Sequence, residues 1–150
     1  MERADILIKN TTIITMNEAR EILKNSAIAI TGDKFIEVGP TEELEAKYEA
    51  EKVIDGKGKF VYPGFINTHS HLFQVLLKGL GRDKALLDWL DSSVKRALWQ
   101  IDEECVYYAA LAGCIENLRS GTTTILDYMY CHGKPGLDDA VLKAFEDIGI

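Results

Sequence analysis

Residues 4–62 alternate apolar and polar side chains with a period near two, which is typical of β-strands. The apolar runs predict strands at 4–9, 12–16, 27–30, 35–38 and 53–55. The Gly-Asp pair at 32–33 separates the third of these strands from the fourth and suits a hairpin turn. A short helix is predicted with Thr41 as its N-cap and with Leu44 and Tyr48 on one apolar face.

Beyond Pro63 the apolar positions follow the helical period, interrupted by one further strand. The first helical stripe consists of Leu87, Leu90, Val94, Ala97, Leu98 and Ile101. A second helix is predicted to begin at Asp102, which can cap it, and to end at Gly121. Its predicted apolar face consists of Tyr107, Leu111, Cys114, Ile115 and Leu118. A strand over 122–128 and a third helix after the Pro-Gly pair at 135–136 complete the pattern.

This order of elements predicts an α/β fold in two parts. Residues 1–62 form a β-rich module, and residues 63–150 run strand, helices, strand, helix, which is how parallel α/β units are built. Only two strands of the barrel type can be counted, whereas a (β/α)8 barrel usually takes ~250 residues. If the fold is a barrel, this chain is its opening third or less.

Two of the chain's three histidines lie one residue apart, in the segment 64–74, GFINTHSHLFQ. On a helix, side chains two residues apart point about 200° apart, whereas on a strand they share a face. The apolar residues before the pair are broken by a Pro-Gly at 63–64, which predicts a strand, a break and a short strand ending near His71. We therefore expect His69 and His71 to leave the end of one strand on the same side.

The residue types alone leave two interpretations of this pair open, because histidine also serves as an ordinary core or surface residue. The strand end favours a metal site, since α/β folds place their sites at the carboxyl ends of strands. Neutral imidazole binds zinc and iron, and catalytic zinc usually takes three protein ligands and keeps one open position. The third histidine, His132, follows the second strand and is not expected to be a ligand.

The composition limits the classes of partner. A net charge of -7 over 150 residues argues against nucleic acid as the main partner. No apolar run approaches the ~18 residues that a membrane span needs, and the charged N-terminus leads into a strand without a signal-peptide pattern. The cysteines, Cys105, Cys114 and Cys131, are widely spaced and suit core residues or idle thiols in a reducing cytoplasm.

The segment 62–71, YPGFINTHSH, resembles the opening motif of the amidohydrolase superfamily. The resemblance covers nearly the whole chain, through ADILIKN at 4–10, DG at 55–56, LFQ at 72–74, KGL at 78–80, LDWL at 87–90 and SGTTT at 120–124. The chain is most similar to the cytosine-deaminase-like branch. That branch includes triazine chlorohydrolases and aminohydrolases, 8-oxoguanine deaminase, and the deaminase of methylthioadenosine and S-adenosylhomocysteine. Asn67 points the same way, because dihydroorotase-like and hydantoinase-like relatives tend to have aspartate there and use two metals.

The resemblance implies a TIM-like (β/α)8 metal-dependent hydrolase, flanked by a β-sandwich built from both chain ends. Residues 1–62 would be the N-terminal part of the sandwich, and residues 63–150 the first strands and helices of an incomplete barrel. His69 and His71 would hold one divalent ion, zinc or alternatively iron. Two further histidines, a glutamate base and an aspartate would lie beyond residue 150, so the segment alone is expected to be inactive.

The reaction implied by the resemblance is hydrolysis of a C–N or C–Cl bond of an aminated heterocycle by metal-activated water, with an acid/base residue protonating the leaving group. Candidate substrate contacts are Gln74, Trp89 and His132; their plainer roles are surface, core and loop residues, respectively. Asp127 is expected to be structural. The full-length enzyme is expected to be a cytoplasmic homo-oligomer that acts on a small molecule and binds neither nucleic acid nor membrane.

Three alternatives stay open on the sequence. A two-metal cyclic amidase would need a carboxylated lysine bridging two ions. A non-catalytic metal-binding or interaction module is favoured if the chain ends at residue 150, since exposed strand edges can pair with another chain. A purely structural domain would leave the convergent histidines without a role. The sequence does not identify the heterocycle.

Overall fold

The alternating N-terminal segment forms a five-stranded sheet and one short helix. A computed structural model describes residues 1–150, which divide into two units, Met1–Pro63 and Gly64–Ile150. The elements of the first unit are β1 (Glu2–Ile14), β2 (Ile22–Thr31), β3 (Lys34–Pro40), α1 (Thr41–Lys47), β4 (Tyr48–Asp55) and β5 (Phe60–Val61). The sheet order is β3-β2-β1-β4, and β5 also pairs with β1. β1 runs antiparallel to β2 and parallel to β4 and β5.

The hairpin between β2 and β3 agrees with the pattern of the sequence. Thr31 pairs with Lys34, and Gly32 adopts a φ of +57°, which glycine tolerates without strain. The helix differs in its first residue: Thr41 lies inside α1, and its Oγ1 accepts a hydrogen bond from Asn10 N at 3.0 Å. Tyr48 begins β4 rather than lying on the helix. The core of this unit consists of Ala4, Leu7, Ala27, Ala29, Leu44 and Tyr48.

The second unit follows the predicted order of strand, helices, strand and helix. Its elements are β6 (Phe65–Ser70), a 3-10 segment (Leu72–Leu77), α2 (Leu86–Trp89), a π turn (Leu90–Val94), α3 (Lys95–Leu98), α4 (Glu103–Arg119), β7 (Thr122–Asp127) and α5 (Leu137–Ile148). β6 and β7 pair in parallel. In the stripe predicted from Leu87 to Ile101, Val94 is buried and Leu98 and Ile101 pack against the core. Leu87 departs from the prediction, being 72% exposed, and a π turn interrupts the helix.

The helix α4 packs through part of the predicted apolar face, Tyr107, Leu111 and Cys114, together with small residues beside it. Asp102 caps it as predicted, with Oδ1 accepting from Cys105 N at 2.9 Å. Ile115 and Leu118, both expected to face the core, are exposed. A Cβ built on Gly113 would meet Leu72 Cδ2 at 2.6 Å, so the bare backbone here lets the 3-10 segment pack closely. The buried positions of α4 are Val106, Ala109, Ala110, Gly113 and Cys114.

Glycine at position 64 is required where β6 begins beside β7. A Cβ at Gly64 would lie 2.0 Å from Thr123 Oγ1 and 2.4 Å from Thr123 Cγ2. Phe65 N also donates to Gly121 O at 2.9 Å, which holds the two strand starts together. No helix of the chain is long and apolar enough to span a bilayer.

We expect the substitution Gly64→Ala to lower the free energy of unfolding by about 1–3 kcal/mol, because the added methyl overlaps the Thr123 side chain. Gly133→Ala is the matched control, since its new Cβ would meet no atom closer than 3.6 Å. That control should stay within about 0.5 kcal/mol of the parent. Urea unfolding of the whole protein measures both; equal midpoints for the two variants would contradict the steric argument.

Candidate metal centre

The two histidines lie where β6 ends. His69 is in the strand, and His71 is the first residue after it, with φ -138° and ψ 76°, before the 3-10 segment begins. Their ring centroids lie 5.3 Å apart at an interplanar angle of 80°. This spacing suits two imidazoles on one ion, because zinc–nitrogen bonds are about 2.0–2.1 Å long. The expectation that both rings leave one strand end together agrees with this arrangement.

The orientation of His71 is fixed by the neighbouring strand. Its Nδ1 lies 2.9 Å from Tyr128 O, just past the end of β7. Because a carbonyl oxygen only accepts, Nδ1 holds the proton, and a neutral ring then keeps its free lone pair on Nε2. Tyr128 N in turn donates to Ser70 O at 2.8 Å, which ties the two strand ends together. A ring held in this way is prepared to bind a cation through Nε2.

Aromatic side chains surround His71 on the side of β7. The Tyr128 and Tyr130 ring centroids lie 5.7 and 5.2 Å from the His71 centroid, both in edge-on geometry. Tyr130 also packs edge-on against Phe73 at 4.8 Å. Gln74 Nε2 donates to the hydroxyl of Tyr130. The structure therefore brings Gln74 into the surroundings of His71 through one tyrosine.

Only one of the two carboxylate oxygens of Asp127, the last residue of β7, has a hydrogen-bond partner. Its Oδ1 accepts from Leu72 N at 2.8 Å, while its Oδ2 is buried without a hydrogen-bond partner in the protein. Burial is the larger effect and raises the pKa of this carboxyl, while the backbone bond from Leu72 and the nearby His71 ring oppose that rise. A buried carboxylate oxygen without a donor, near an imidazole with a free lone pair, fits a cation bound in this region. The expected structural role of Asp127 agrees with its bond to Leu72.

A complete ligand set is absent from this chain. No group of three or more histidine, cysteine, aspartate or glutamate side chains is arranged to hold a metal. All three cysteines are free, and burial together with the charge of Asp127 raises the pKa of Cys114 to about 11, which disfavours a thiolate at that position. The two histidines alone therefore do not form a complete ligand set.

The other two predicted substrate contacts have partners of their own. Trp89 Nε1 donates to Leu80 O at 2.9 Å, and a Cβ at Gly81 would lie 2.4 Å from Trp89 Cδ1, so the indole packs on its own loop. His132 Nδ1 lies 3.3 Å from Asp138 Oδ2 with its side chain 61% exposed. Of the three candidates, the structure groups Gln74 alone with the histidine pair.

Two residues of this region were missed by the reasoning from sequence. Tyr128 and Tyr130 follow β7 and are separated by one residue, as are His69 and His71 at the end of β6. That repeated spacing at the ends of both predicted strands is the signal that could have identified them. Their rings and the Tyr128 carbonyl now define the wall beside His71.

Comparison with known proteins gives one family match and close structural neighbours. Residues 60–150 match the model of the amidohydrolase family. A 5-methylthioadenosine/S-adenosylhomocysteine deaminase of Bacillus cereus (strain AH820) is 39% identical over 142 residues, which cover 94% of this chain and 32% of that protein. A 5'-deoxyadenosine deaminase of Methanosarcina mazei is 35% identical, covering 98% of this chain and 32% of that protein. The chain thus spans about a third of the length of these relatives.

Among solved structures, the neighbours include an atrazine chlorohydrolase of Arthrobacter aurescens TC1. A mutant of that protein, complexed with zinc and atraton, superposes with a TM-score of 0.81 at 27% identity. The match covers 97% of this chain and 34% of the chlorohydrolase. An α/β architecture like that of amidohydrolase structures is therefore established for this chain.

Asp127 generates a prediction about pH and stability in metal-free protein. Asp127→Ala removes the acceptor of the buried Leu72 N–H and should cost about 1–3 kcal/mol. Asp127→Asn keeps an acceptor and removes the buried charge. Because burial raises the folded-state pKa, the parent binds more protons folded than unfolded, so its stability falls as pH rises through that folded pKa.

The asparagine variant should therefore gain stability relative to the parent as pH rises from 4 to 7. Chemical unfolding at both pH values, with chelator present, measures the difference. If the difference in stability between the parent and Asp127→Asn is the same at both pH values, then burial does not raise the pKa of the Asp127 carboxyl, and the prediction is wrong.

Proposed function

This chain belongs to the amidohydrolase family, and from that premise we propose that it is the opening part of a metal-dependent hydrolase that removes an amino group or a halide from a heterocycle. The support for the reaction class is that relatives at 35 and 39% identity are named deaminases, and a structural neighbour at 27% is named a chlorohydrolase. Deamination and dechlorination follow the same course: water attacks the ring carbon, and ammonia or chloride leaves. The chain covers about a third of the length of these proteins, so the activity is proposed for the whole protein.

The proposed architecture is the start of a (β/α)8 barrel after a β-sandwich segment. The parallel pair β6 and β7, with α4 between them in sequence and α5 after, has the order of a barrel's first repeats. Residues 1–62 would supply the N-terminal part of the sandwich and residues 63–150 the first part of the barrel. The similarity to amidohydrolase structures supports this assignment.

His69 and His71 are proposed to hold one divalent ion, zinc with iron as the alternative. The observation that supports this most strongly is the bond between His71 Nδ1 and Tyr128 O, which leaves Nε2 for a cation. The ring spacing and the unpaired Asp127 Oδ2 support it as well. When bound, such an ion lowers the pKa of a coordinated water enough for it to act as a nucleophile near neutral pH.

Gln74 is proposed to face the heterocycle. Its Nε2 is engaged by the Tyr130 hydroxyl, so its Oε1 is the atom left to accept an N–H of an amino group or a protonated ring nitrogen. The edge of Tyr130 and the nearby Tyr128 ring offer apolar surface for a flat substrate. Trp89 and His132 stay weaker proposals, because their observed partners, Leu80 O and the Asp138 carboxylate, are not among the residues around the histidine pair.

One alternative is favoured by a specific observation. A binding or interaction module that uses only this segment needs no further ligand, and no group of three or more histidine, cysteine, aspartate or glutamate side chains here is arranged to hold a metal. A two-metal cyclic amidase would differ by holding two ions in each subunit. Metal stoichiometry separates the two-metal amidase from the other two possibilities, and turnover separates the hydrolase from the binding module.

We expect His69→Ala and His71→Ala in the whole protein each to abolish metal retention after gel filtration, because each removes one of two ligands. His132→Ala is the matched control, since its ring lies beside Asp138, and it should retain the metal. Inductively coupled plasma mass spectrometry gives the content. Normal metal content in the His69 and His71 variants would refute the assignment, and two ions per parent subunit would favour the cyclic amidase.

Ammonia release from a panel of aminated heterocycles tests the reaction itself. The panel should contain adenosine-type nucleosides, guanine, and amino- and chlorotriazines, with chloride release followed for the last. Turnover of at least one member, lost on chelation and restored by zinc or iron, is the expected result. Gln74→Ala should reduce kcat/KM for that substrate by about tenfold, as expected for one lost hydrogen bond. A protein that binds metal but hydrolyses none of them would support the binding module instead.

A further inference from the structure

The strand that bears His69 has an irregular pairing with its neighbour. Asn67 pairs with Ile125 and Ser70 with Asp127, so β6 advances three residues where β7 advances two. This extra residue is the mark of a β-bulge, which leaves backbone groups outside the ladder. The backbone N–H of His69 falls in this interval, and Asn67 Oδ1 accepts it at 3.1 Å. The Asn67 side chain thus replaces the missing partner from β7.

The other end of the same amide is fixed by α4. Asn67 Nδ2 donates to Asn117 Oδ1 at 2.9 Å, and Asn117 Nδ2 donates to Gly113 O at 2.8 Å. Each amide has one donor end and one acceptor end, so the Gly113 carbonyl sets the direction of the whole series. Because Asn117 Nδ2 donates to Gly113 O, Asn117 Oδ1 is left to accept a hydrogen bond from residue 67. Residue 67 must therefore donate to Asn117 and also accept from the backbone N–H of His69, which an asparagine can do.

The anchor of this series is rigid. Gly113 is buried in α4, where Leu72 of the 3-10 segment packs against its bare backbone. Asn67 and Asn117 are both half-buried, so solvent competes little for their amides. A carboxylate at position 67 would still accept from His69, but it has no hydrogen to give to Asn117.

We propose that Asn67 and Asn117 are positioning residues that set the backbone of His69 at the bulge and so fix where its imidazole meets a bound ion. This inference rests on the proposed metal site. It adds to that site a device in α4, where Asn117 acts through Asn67 and touches neither histidine ring. Since the two amides act in series, removal of either one breaks the same connection.

The test is zinc affinity of the whole protein, measured by competition with a chromophoric chelator. Asn117→Ala and Asn67→Ala should each weaken zinc binding by about 10–100-fold, the usual effect of losing an outer contact to a ligand. The double variant should be no weaker than Asn67→Ala, because the two act in series. Asn117→Asp keeps an acceptor for Asn67 Nδ2 but has no hydrogen to donate to the Gly113 carbonyl, so it should recover only part of the affinity lost in Asn117→Ala.

A control separates positioning from general loosening of α4. Asp102→Ala removes the N-cap of the same helix and should lower the unfolding midpoint without changing zinc affinity. The proposal is overturned if Asn117→Ala binds zinc as the parent does, if it loses affinity only as much as Asp102→Ala, or if the losses of the single variants add. If His69→Ala also keeps the parent affinity, the metal site itself is absent and both proposals fall. If His69→Ala loses zinc but Asn117→Ala and Asn67→Ala bind it as the parent does, the metal site stands and only the positioning role is refuted.

Discussion

The parallel pairing of β6 with β7 is the constraint on which the candidate site depends. Tyr128 N donates to Ser70 O at the point where both strands end, which places the residues after β6 beside those after β7. From that alignment follow the bond of His71 to the Tyr128 carbonyl and the bond of Leu72 N to Asp127. A shift of one residue in this pairing would remove all of these contacts together.

Hydrogen-bond direction accounts for the polar groups around the histidines. A carbonyl faces His71 Nδ1, and an amide oxygen faces His69 N, so each acceptor meets a donor. Asp127 Oδ2 is the exception in an otherwise paired region. Burying such an oxygen without a donor costs free energy, which is consistent with a site built for positive charge rather than for internal stability.

Local sequence patterns were sufficient for the strand before the histidines and for the cap at Asp102, because a break at Pro63 and a capping side chain act over a few residues. They were insufficient for the rest of the buried face of α4, where Leu72 packs closely on Gly113. The Asn67–Asn117 bond joins residues fifty positions apart, and no short-range period reports such a pair. The grouping of Gln74 with Tyr130 was hidden for the same reason. The roles of the predicted site residues in metal and substrate binding stay predictions.

The mixed sheet of the first unit has a consequence for biosynthesis. β1 pairs antiparallel with the nearby β2, but its other edge is filled by β4, whose residues follow some forty-six positions later, as in Glu2 with Tyr48. Hairpin-like contacts of short sequence separation form faster than such distant parallel ones. During translation, the edge of β1 that will pair with β4 therefore stays unpaired until β4 has left the ribosome. In that interval the nascent sheet is open to pairing with a neighbouring chain, and chaperone occupancy would protect it.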